Sequence, residues 1–312
     1  MGTIVYSIKI YDAPQSISEA ELKTDIDELL TQINQQMSTY IADSELSQVN
    51  QAKAGEWTAI SPELLHVLQT ASEVHSKTAG KFDVSVGPAV NLWHFGPGEK
   101  VETLPSESEV KQVLASIGFE KIELRTQPPA VKKQDAAIYL DLSAIAKGYA
   151  VDQVAELLKD RGLSQFMVEI GGEVQTAGLK PDGSRWKIAI EKPVRGQREF
   201  QQIIALTDIG LATSGDYRNY FEHQGKLYSH TIDPGTGKPV DHQLTSASVL
   251  HAECMLADAY ATALMVLGPE QGYQWAEEHN VAALLIHRTE DGQFGEQATT
   301  AWLNYFNEET HP

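Results

Sequence analysis

The sequence predicts an α+β fold. Alternating apolar and polar residues over 4–11 indicate a strand near the start of the chain, and helical periodicity follows over 18–37. Farther along, short apolar runs and helical patterns are mixed without strict strand–helix–strand alternation. The length of 312 residues suffices to bury a core, as one large domain or two smaller ones.

Helix start and stop signals recur along the chain. Ser18 stands where a cap is expected, before apolar residues spaced for one helix face, and Pro62 stands in the first turn of a second helix. Gly118 and Gly162 follow periodic segments and are typical helix stops. Helices are therefore predicted over 18–37, 61–78, 87–93, 108–117, 145–161, 252–267 and 269–279.

Strands are indicated by short apolar runs bounded by turn residues. After the first strand, they are predicted over 138–140, 166–170, 186–190, 200–206, 211–213, 227–230 and 281–287. Segments 95–108 and 125–136 have the composition of inserted loops, but neither marks the boundary of an independent domain.

Charge and cysteine content exclude several classes of protein. The formal net charge is −19, which argues against nonspecific binding to nucleic acid or anionic lipid. A polyphosphate ligand would need a local exception, such as a metal ion, a helix N-terminus or a few lysines. Cys254 is the only cysteine, so no intrachain disulfide is possible, and no run of 18 apolar residues predicts a transmembrane segment.

The segment 257–262 places an acid inside an apolar helix. Asp258 and Thr262 are four positions apart, so both side chains lie on one face. An unpaired carboxylate would be costly to bury there, so Asp258 should have a partner. A hard cation held by oxygen ligands is one candidate, and a capping interaction or a pair with Lys or Arg is the other.

A second candidate site lies over 141–150, at a predicted strand-to-helix junction. Backbone N–H groups and the helix dipole attract phosphate at such a junction. Lys147 falls in the first helical turn, where a cation is unfavourable unless an anion is present. The alternative is a simple cap by Asp141 or Ser143 with a solvated lysine.

Three further residues have both a functional and a structural interpretation. His230, between Ser229 and Thr231 at a strand end, is either a general base or a hydrogen-bonded structural histidine. Asp83 either binds a ligand or closes an Asx turn, and Tyr40 either stacks on a flat ring or packs locally. The histidines lack the His-x-x-x-His spacing, so no zinc site is expected.

Taken together and in this order, the motifs closely resemble the ApbE family of FAD:protein FMN transferases. The resemblance spans essentially the whole chain and rests on several long segments. These are 1–3 (MGT), 37–50 (MSTYIADSELSQVN), 80–93 (GKFDVSVGPAVNLW), 141–152 (DLSAIAKGYAVD), 171–173 (GGE), 213–221 (TSGDYRNYF), 229–234 (SHTIDP) and 254–267 (CMLADAYATALMVL).

The resemblance implies a fold and a set of site residues. The fold would be T-fold-like, with largely antiparallel sheets and two closely packed subdomains that form one catalytic unit over 1–312. Mg²⁺ would be bound by Asp258, Thr262 and the backbone carbonyl of Ala144. The implied FAD contacts are Met1, Tyr40, Lys81, Phe82, Asp83, Asp141, Lys147 and Ile232.

The family pattern also implies a reaction. A threonine or serine hydroxyl of a target flavoprotein would attack the FMN-side phosphorus of FAD and release AMP, with His230 as general base and Lys147 adding positive potential. Thr231 and Tyr260 depart from the family pattern without touching a proposed ligand. The alternatives are a Mg²⁺-dependent FAD pyrophosphatase, a non-catalytic FAD-binding carrier, and a domain without a ligand.

Partners and location follow from the resemblance alone. The acceptors would be flavoprotein subunits of membrane redox complexes, and the enzyme would act in the periplasm or otherwise outside the cytoplasm. A precursor with a membrane anchor is expected, although no leader is visible in this sequence.

Overall fold

The structure is a computed structural model that describes residues 4–98, 103–194, 199–216 and 219–307. Its α-helices are α1 (Glu19–Met37), α2 (Glu45–Gln51), α3 (Pro62–Lys77), α4 (Gly87–Leu92), α5 (Glu107–Leu114), α6 (Ala146–Asp160), α7 (Cys254–Leu267), α8 (Pro269–Glu278) and α9 (Thr300–Asn307). Its strands are β1 (Tyr6–Ile10), β2 (Trp57–Ala59), β3 (Ile122–Thr126), β4 (Pro129–Lys133), β5 (Phe166–Ile170), β6 (Glu173–Ala177), β7 (Trp186–Glu191), β8 (Phe200–Leu206), β9 (Gly210–Gly215), β10 (Tyr220–His223), β11 (Lys226–Ser229), β12 (Ile232–Asp233), β13 (Lys238–Pro239), β14 (Leu244–His251), β15 (Ala282–Arg288) and β16 (Phe294–Ala298).

The chain forms two compact units. Of the described residues, the first unit contains 32–98, 103–146 and 219–242, and the second contains 4–31, 147–194, 199–216 and 243–307. That the whole chain acts as one catalytic unit stays a prediction.

The first unit is built on an antiparallel sheet of order β2-β4-β3, with α3 packed against β3 and β4. The helix begins where the sequence predicts, because the Ser61 hydroxyl accepts the N–H of Leu64 at 3.1 Å and Pro62 occupies the first turn. One face of α3 is fully buried, including Leu64 and Leu68.

The prediction of an inserted loop over 125–136 is wrong. Residues of that segment form the end of β3 and all of β4, the central strand of the sheet. Only Ala130 and Val131 supply consecutive buried apolar side chains, which is too short a signal for periodicity to register. Pairing with strands on both sides, rather than apolar content, forms β4.

The predicted strand over 138–140 is also wrong. Tyr139 makes one isolated parallel bridge to Val86, and side chains replace the expected ladder. The Asn50 amide donates to the carbonyl of Leu140 at 2.9 Å and accepts the Leu140 N–H at 2.7 Å. The buried ammonium of Lys133 donates to the carbonyl of Ile138 at 3.0 Å. Polar side chains therefore satisfy this buried backbone.

Two small antiparallel ribbons complete the first unit, β10 with β11 and β12 with β13. A core cluster underlies them, in which Ile232 packs with Trp93 and Val110. The indole N–H of Trp93 donates to the carbonyl of Gly237 at 2.8 Å, which ties the turn between β12 and β13 to this cluster.

The second unit contains a seven-stranded sheet of order β1-β5-β6-β9-β14-β15-β16, in which every pairing is antiparallel. Strands β5 and β6 are joined by Gly171 and Gly172, which both have positive φ, of 66° and 109°. A two-residue hairpin turn of this kind needs positive φ at both positions, and glycine adopts it without strain.

Helices and a second ribbon pack on this sheet. The apolar helix α7 lies against β9 and β14, and α8 packs on α7 and β15. The β7–β8 ribbon and α9 share a core cluster with the sheet, where Trp186 and Trp302 meet Leu211 and Leu250. No described helix has the length and apolar content needed to cross a bilayer. The prediction of an α+β fold with largely antiparallel sheets is confirmed.

Candidate active site

Helix α7 carries the acid and the hydroxyl that the sequence singled out. It is apolar on all sides, as expected for a buried helix. Asp258 is only 2% exposed, and Thr262 lies one turn farther along the same face. The carboxylate therefore requires partners inside the second unit.

Two partners of Asp258 come from the first turn of α6. The Gly148 N–H donates to Oδ2 of Asp258 at 3.1 Å, and the Lys147 ammonium lies 3.5 Å from Oδ1. The backbone donor is one of the N–H groups that a helix N-terminus leaves unpaired. The structure thus shows the pair with a lysine that the sequence allowed, and a cation at Asp258 stays a prediction.

Gly148 is required by how closely α6 and α7 approach. A Cβ at this position would lie 2.4 Å from the carbonyl oxygen of Cys254 and 2.7 Å from Cα of Met255. These distances are far below van der Waals contact, and both atoms belong to the backbone. The glycine lets the first turn of α6 reach the Asp258 carboxylate.

Lys147 also contacts Glu173, the first residue of β6. The two charged atoms, Nζ and Oε1, are 2.5 Å apart, and Glu173 is 2% exposed. Burial alone would lower the pKa of Lys147, but the charges of Asp258 and Glu173 outweigh it and raise that pKa above its ordinary value. Burial raises the pKa of Glu173 to about 7, against the lowering effect of Lys147.

Thr262 has a partner that the sequence analysis did not identify. Its Oγ1 lies 3.0 Å from the hydroxyl oxygen of Ser214 in β9, and either group is able to donate the proton. Asp258 and Thr262, one turn apart on α7, both carry oxygen atoms of the kind that hard cations prefer. No group of three or more His, Cys, Asp or Glu side chains arranged to hold a metal occurs within the described ranges.

In the first unit, four of the predicted FAD contacts belong to the loop over 80–86 or lie beside it, namely Lys81, Phe82, Asp83 and Asp141. The Asp141 N–H donates to the carbonyl of Val84 at 2.8 Å, so the two segments lie side by side. The Asp141 carboxylate accepts the N–H of Ser143 at 2.8 Å and also its hydroxyl, which fixes the turn over 143–145 that contains Ala144. This is an Asx turn that ends before α6 begins at Ala146, so Asp141 does not cap the helix itself. The alternative of a solvated lysine is wrong, because Lys147 is paired with buried acids of the second unit.

Asp83 and Phe82 lie inside this loop. Asp83 is 6% exposed and accepts hydrogen bonds from the N–H and hydroxyl of Ser85 and from the N–H of Phe119. That arrangement is the Asx turn that the sequence allowed, extended by a long-range contact. Phe82 is buried at 2% exposure. Within the first unit, both side chains hold the loop in place.

Lys81 contacts strand β12, which contains Ile232, through Asp233. The Lys81 ammonium lies 3.4 Å from Oδ1 of Asp233, and the preceding residue, Ile232, is buried. Tyr40 is 63% exposed, and partial burial of its hydroxyl together with the charge of Asp141 raises its pKa. Its exposed ring is thus available for stacking on a ligand. Met1, also predicted to contact FAD, lies outside the described residues.

His230 follows strand β11 and has a defined tautomer. Its Nδ1 lies 2.9 Å from the carbonyl oxygen of Asn219, and the Phe95 ring packs edge-on at 6.3 Å between centroids. Because a carbonyl only accepts, Nδ1 carries the proton and Nε2 of the neutral ring carries the lone pair. A histidine held in this way is able to accept a proton at Nε2.

The fold and these sites define an α+β protein with oxygen donors and a partly buried cation, Lys147, suited to a phosphate-containing ligand. The model of the ApbE family matches residues 1–285. The chain therefore belongs to the ApbE family.

Known proteins agree with this assignment. A protein named FAD:protein FMN transferase from Vibrio cholerae serotype O1 is 44% identical over 307 residues, which cover 98% of this chain and 91% of that protein. The protein of the same name from Escherichia coli K12 is 35% identical, over 91% of this chain and 81% of its own length. The predictions of family and of an enzyme are confirmed by these matches.

Solved structures extend the agreement to three dimensions. The flavin transferase ApbE from Vibrio cholerae matches with a TM-score of 0.88 at 43% identity, over 96% of this chain and 94% of that one. The ApbE protein from Thermotoga maritima matches with a TM-score of 0.85 at 25% identity, over 96% and 97% of the two chains.

Proposed function

We propose that this chain is a FAD:protein FMN transferase, which moves FMN from FAD to a threonine or serine hydroxyl of an acceptor protein and releases AMP. The observation that carries the proposal is the match, over nearly the whole chain, to relatives that bear this name. The geometry within each unit supports the roles proposed for individual residues.

The proposed reaction is one substitution at phosphorus. The acceptor hydroxyl oxygen forms a bond to the FMN-side phosphorus of FAD, and the bond from that phosphorus to the bridging oxygen breaks. AMP leaves with the bridging oxygen and its electron pair. The hydroxyl proton is lost to a base, so the products are a phosphoester-linked flavin and AMP.

His230 is the proposed base. The Asn219 carbonyl holds the proton on Nδ1 and orients the ring, so the Nε2 lone pair is the one that takes the hydroxyl proton. In serine hydrolases the tautomer of the catalytic histidine is set in the same way, by a hydrogen bond from Nδ1–H to a carboxylate.

Mg²⁺ is the proposed metal ion, and the residues present fit it. A buried carboxylate, Asp258, with a hydroxyl one turn away, Thr262, is a hard-oxygen donor set. The backbone carbonyl of Ala144 is proposed as a third ligand from the family resemblance alone. So few protein ligands leave coordination positions for water and phosphate. Once bound, the ion would neutralise negative charge on the pyrophosphate.

The other predicted contacts would bind and orient FAD. The Lys147 ammonium offers positive charge beside Asp258 in a chain whose net charge is −19. The exposed ring of Tyr40 is suited to stacking, and Lys81 offers a second cation. Asp141 would hold the turn over 143–145 in the shape that presents its backbone.

Acceptor and location are proposed from the family resemblance. The acceptors would be flavoprotein subunits of membrane redox complexes, modified in the periplasm or elsewhere outside the cytoplasm. Labelling of such a subunit in cells, compared between an exported and a cytoplasmic form of the acceptor, tests this. Labelling of the cytoplasmic form alone would contradict the proposed location.

The proposed activity is tested by incubating the protein with FAD, Mg²⁺ and a purified acceptor flavoprotein. Mass spectrometry of the intact acceptor reports the added FMN, and chromatography reports AMP. We expect one AMP for each labelled acceptor, and neither product with a chelator present. AMP and free FMN without labelled acceptor would instead identify a FAD pyrophosphatase, which uses water in place of the hydroxyl.

A further inference from the structure

Glu173 is a second buried acid at the Asp258 site, and the proposed reaction gives it no role. It is 2% exposed and follows the glycine turn that joins β5 and β6. Its Oε1 contacts the Lys147 ammonium at 2.5 Å, while Oε2 has no hydrogen-bond partner among the described residues. A buried carboxylate oxygen without a partner is costly, so a functional reason for it is expected.

The turn is built to bring Glu173 and Lys147 together. Gly171 has a φ of +66°, and a Cβ at that position would lie 3.5 Å from both Oε2 of Glu173 and Cδ of Lys147. The turn thus packs directly on the pair. The lysine stem is covered, and its side chain is 24% exposed.

The Lys147 ammonium contacts two buried carboxylates, at different distances. Lys147 Nζ lies 2.5 Å from Glu173 and 3.5 Å from Asp258. The shorter contact is a charge-assisted hydrogen bond, and the longer one is mainly electrostatic. The contact to Asp258 is therefore the one that would break first.

A divalent cation at Asp258 would repel the ammonium beside it. An ammonium displaced from Asp258 without another counter-ion would oppose metal binding. Glu173 removes that obstacle, because it already holds the ammonium by its shorter contact. Its unpaired Oε2 offers a second acceptor for the same ammonium.

We propose that Lys147 and a divalent cation exchange at Asp258, and that Glu173 is the positioning residue that receives the Lys147 ammonium when the cation binds. The exchange keeps the Lys147 ammonium near the metal ion, where it would be able to bind a pyrophosphate oxygen. This inference rests on the proposed function, because it takes Asp258 as a metal ligand.

The test is a double-mutant cycle on metal binding, read by calorimetric titration with Mg²⁺ alone, without FAD. We expect Glu173→Gln to raise the Mg²⁺ Kd by about tenfold or more, because the ammonium then competes for Asp258. Lys147→Met should lower the Kd. In the Lys147→Met background, Glu173→Gln should change the Kd by less than about threefold.

Two competing roles for Glu173 predict different results. If Glu173 acts only through its charge, the Glu173→Gln effect is the same with and without Lys147, and the proposal is overturned. If Glu173 binds the metal itself, the effect is larger in the Lys147→Met background, which also overturns it. Glu169→Gln, a partly exposed acid in β5, is the matched control and should leave the Kd unchanged.

A second variant, Glu173→Asp, tests the proposal even if Lys147→Met does not fold. Glu173→Asp retains the charge but shortens the side chain by one methylene, so the ammonium loses its short contact. We expect a rise in Kd close to that of Glu173→Gln, and an unchanged Kd would contradict the proposal. Asp258→Asn distinguishes the proposed metal site from the proposed exchange. If Mg²⁺ binding does not depend on Asp258, both proposals fail. If binding depends on Asp258 but the effects of the Glu173 and Lys147 substitutions are additive, only the exchange fails.

Discussion

Asp152 caps helix α7 by bonding to Cys254. Its Oδ1 accepts the Cys254 N–H at 2.8 Å, and its Oδ2 accepts the N–H of the next residue, Met255, also at 2.8 Å. Asp152 lies on α6, the helix whose first turn holds Lys147 and Gly148. One carboxylate therefore satisfies two unpaired N–H groups of α7 and sets the position of α7, with Asp258, against α6.

The cap predicts a pH dependence of stability. Burial raises the pKa of Asp152 from 3.8 to about 6, and the N–H donors of Met255 and Cys254 only partly oppose this. The folded protein therefore binds the proton of the Asp152 carboxyl more tightly than the unfolded chain does. The free energy of unfolding consequently falls as the pH rises from about 4 to about 6 and this proton is lost. In Asp152→Asn this group no longer titrates, so the decrease in the free energy of unfolding over that pH range should be smaller than in the wild type by about 3 kcal/mol.

Urea denaturation at several pH values from 4 to 8 measures this effect. Asp160→Asn, an exposed acid on the same helix, is the control and should keep the wild-type pH dependence. Glu173 acts in the same direction, because its pKa is raised to about 7, so part of the fall persists in Asp152→Asn. An unchanged pH profile in Asp152→Asn would contradict the assignment.

The close approach of α6 and α7 predicts that Gly148 is not replaceable by alanine. A Cβ 2.4 Å from a backbone oxygen forces the helices apart, so Gly148→Ala should lower the free energy of unfolding by about 1–3 kcal/mol or more. Thermal and urea unfolding measure this. Gly98→Ala, where a Cβ meets nothing within 4 Å, should be nearly neutral. Equal stabilities of the two variants would refute the argument.

The Asn50 amide predicts a coupling between stability and FAD binding in the first unit. Asn50→Ala leaves the N–H and carbonyl of Leu140 buried without partners, so the free energy of unfolding should fall by about 2 kcal/mol or more. FAD should also bind more weakly, because Asp141 follows Leu140 directly. Gln35→Ala, which removes an exposed amide-to-carbonyl bond, should change neither quantity. Wild-type unfolding and FAD titration curves for Asn50→Ala would contradict this role.

Much of the fold was predictable, but its central strands were not. Helix α3 has a Ser61 cap and one apolar face, and helix α7 is a long, mostly apolar run, and both are local signals. Strand β14 lies in the middle of the large sheet, yet its sequence LTSASVLH is half serine, threonine and alanine. Its small hydroxyl side chains are buried because neighbours on both sides and α7 cover them. That burial is a tertiary effect with no local pattern.

Some residues of the candidate site were also predictable from the sequence, and others were not. Asp258 and Thr262 were identifiable because a charge inside an apolar helix is a local anomaly. Ser214 was not, because its contact with Thr262 depends on β9 lying beside α7. Glu173 had a weak signal, an acid directly after a two-glycine turn between apolar strands, but its pairing with Lys147 depends on the packing of the turn on α6.

The tautomer of His230 predicts a defect in transfer without a defect in binding. His230→Ala removes the base, so the transfer rate should fall by about 10²–10⁴-fold. FAD affinity, followed by flavin fluorescence, should stay near that of the wild type. His279→Ala is the matched control, because His279 is an exposed histidine whose Nδ1 also lies on a carbonyl oxygen, that of Trp275 at 2.8 Å. Transfer by His230→Ala at the wild-type rate would exclude it as the base.

The most direct test of the whole account is the Mg²⁺ dependence of acceptor labelling by Asp258→Asn. The acid is replaced by an isosteric amide, so loss of the charge is the main change at the site. We predict that labelling falls by about 100-fold or more and no longer responds to added Mg²⁺, while Glu278→Gln, an exposed acid on α8, behaves as wild type. Wild-type labelling by Asp258→Asn with an unaltered Mg²⁺ response would contradict the account.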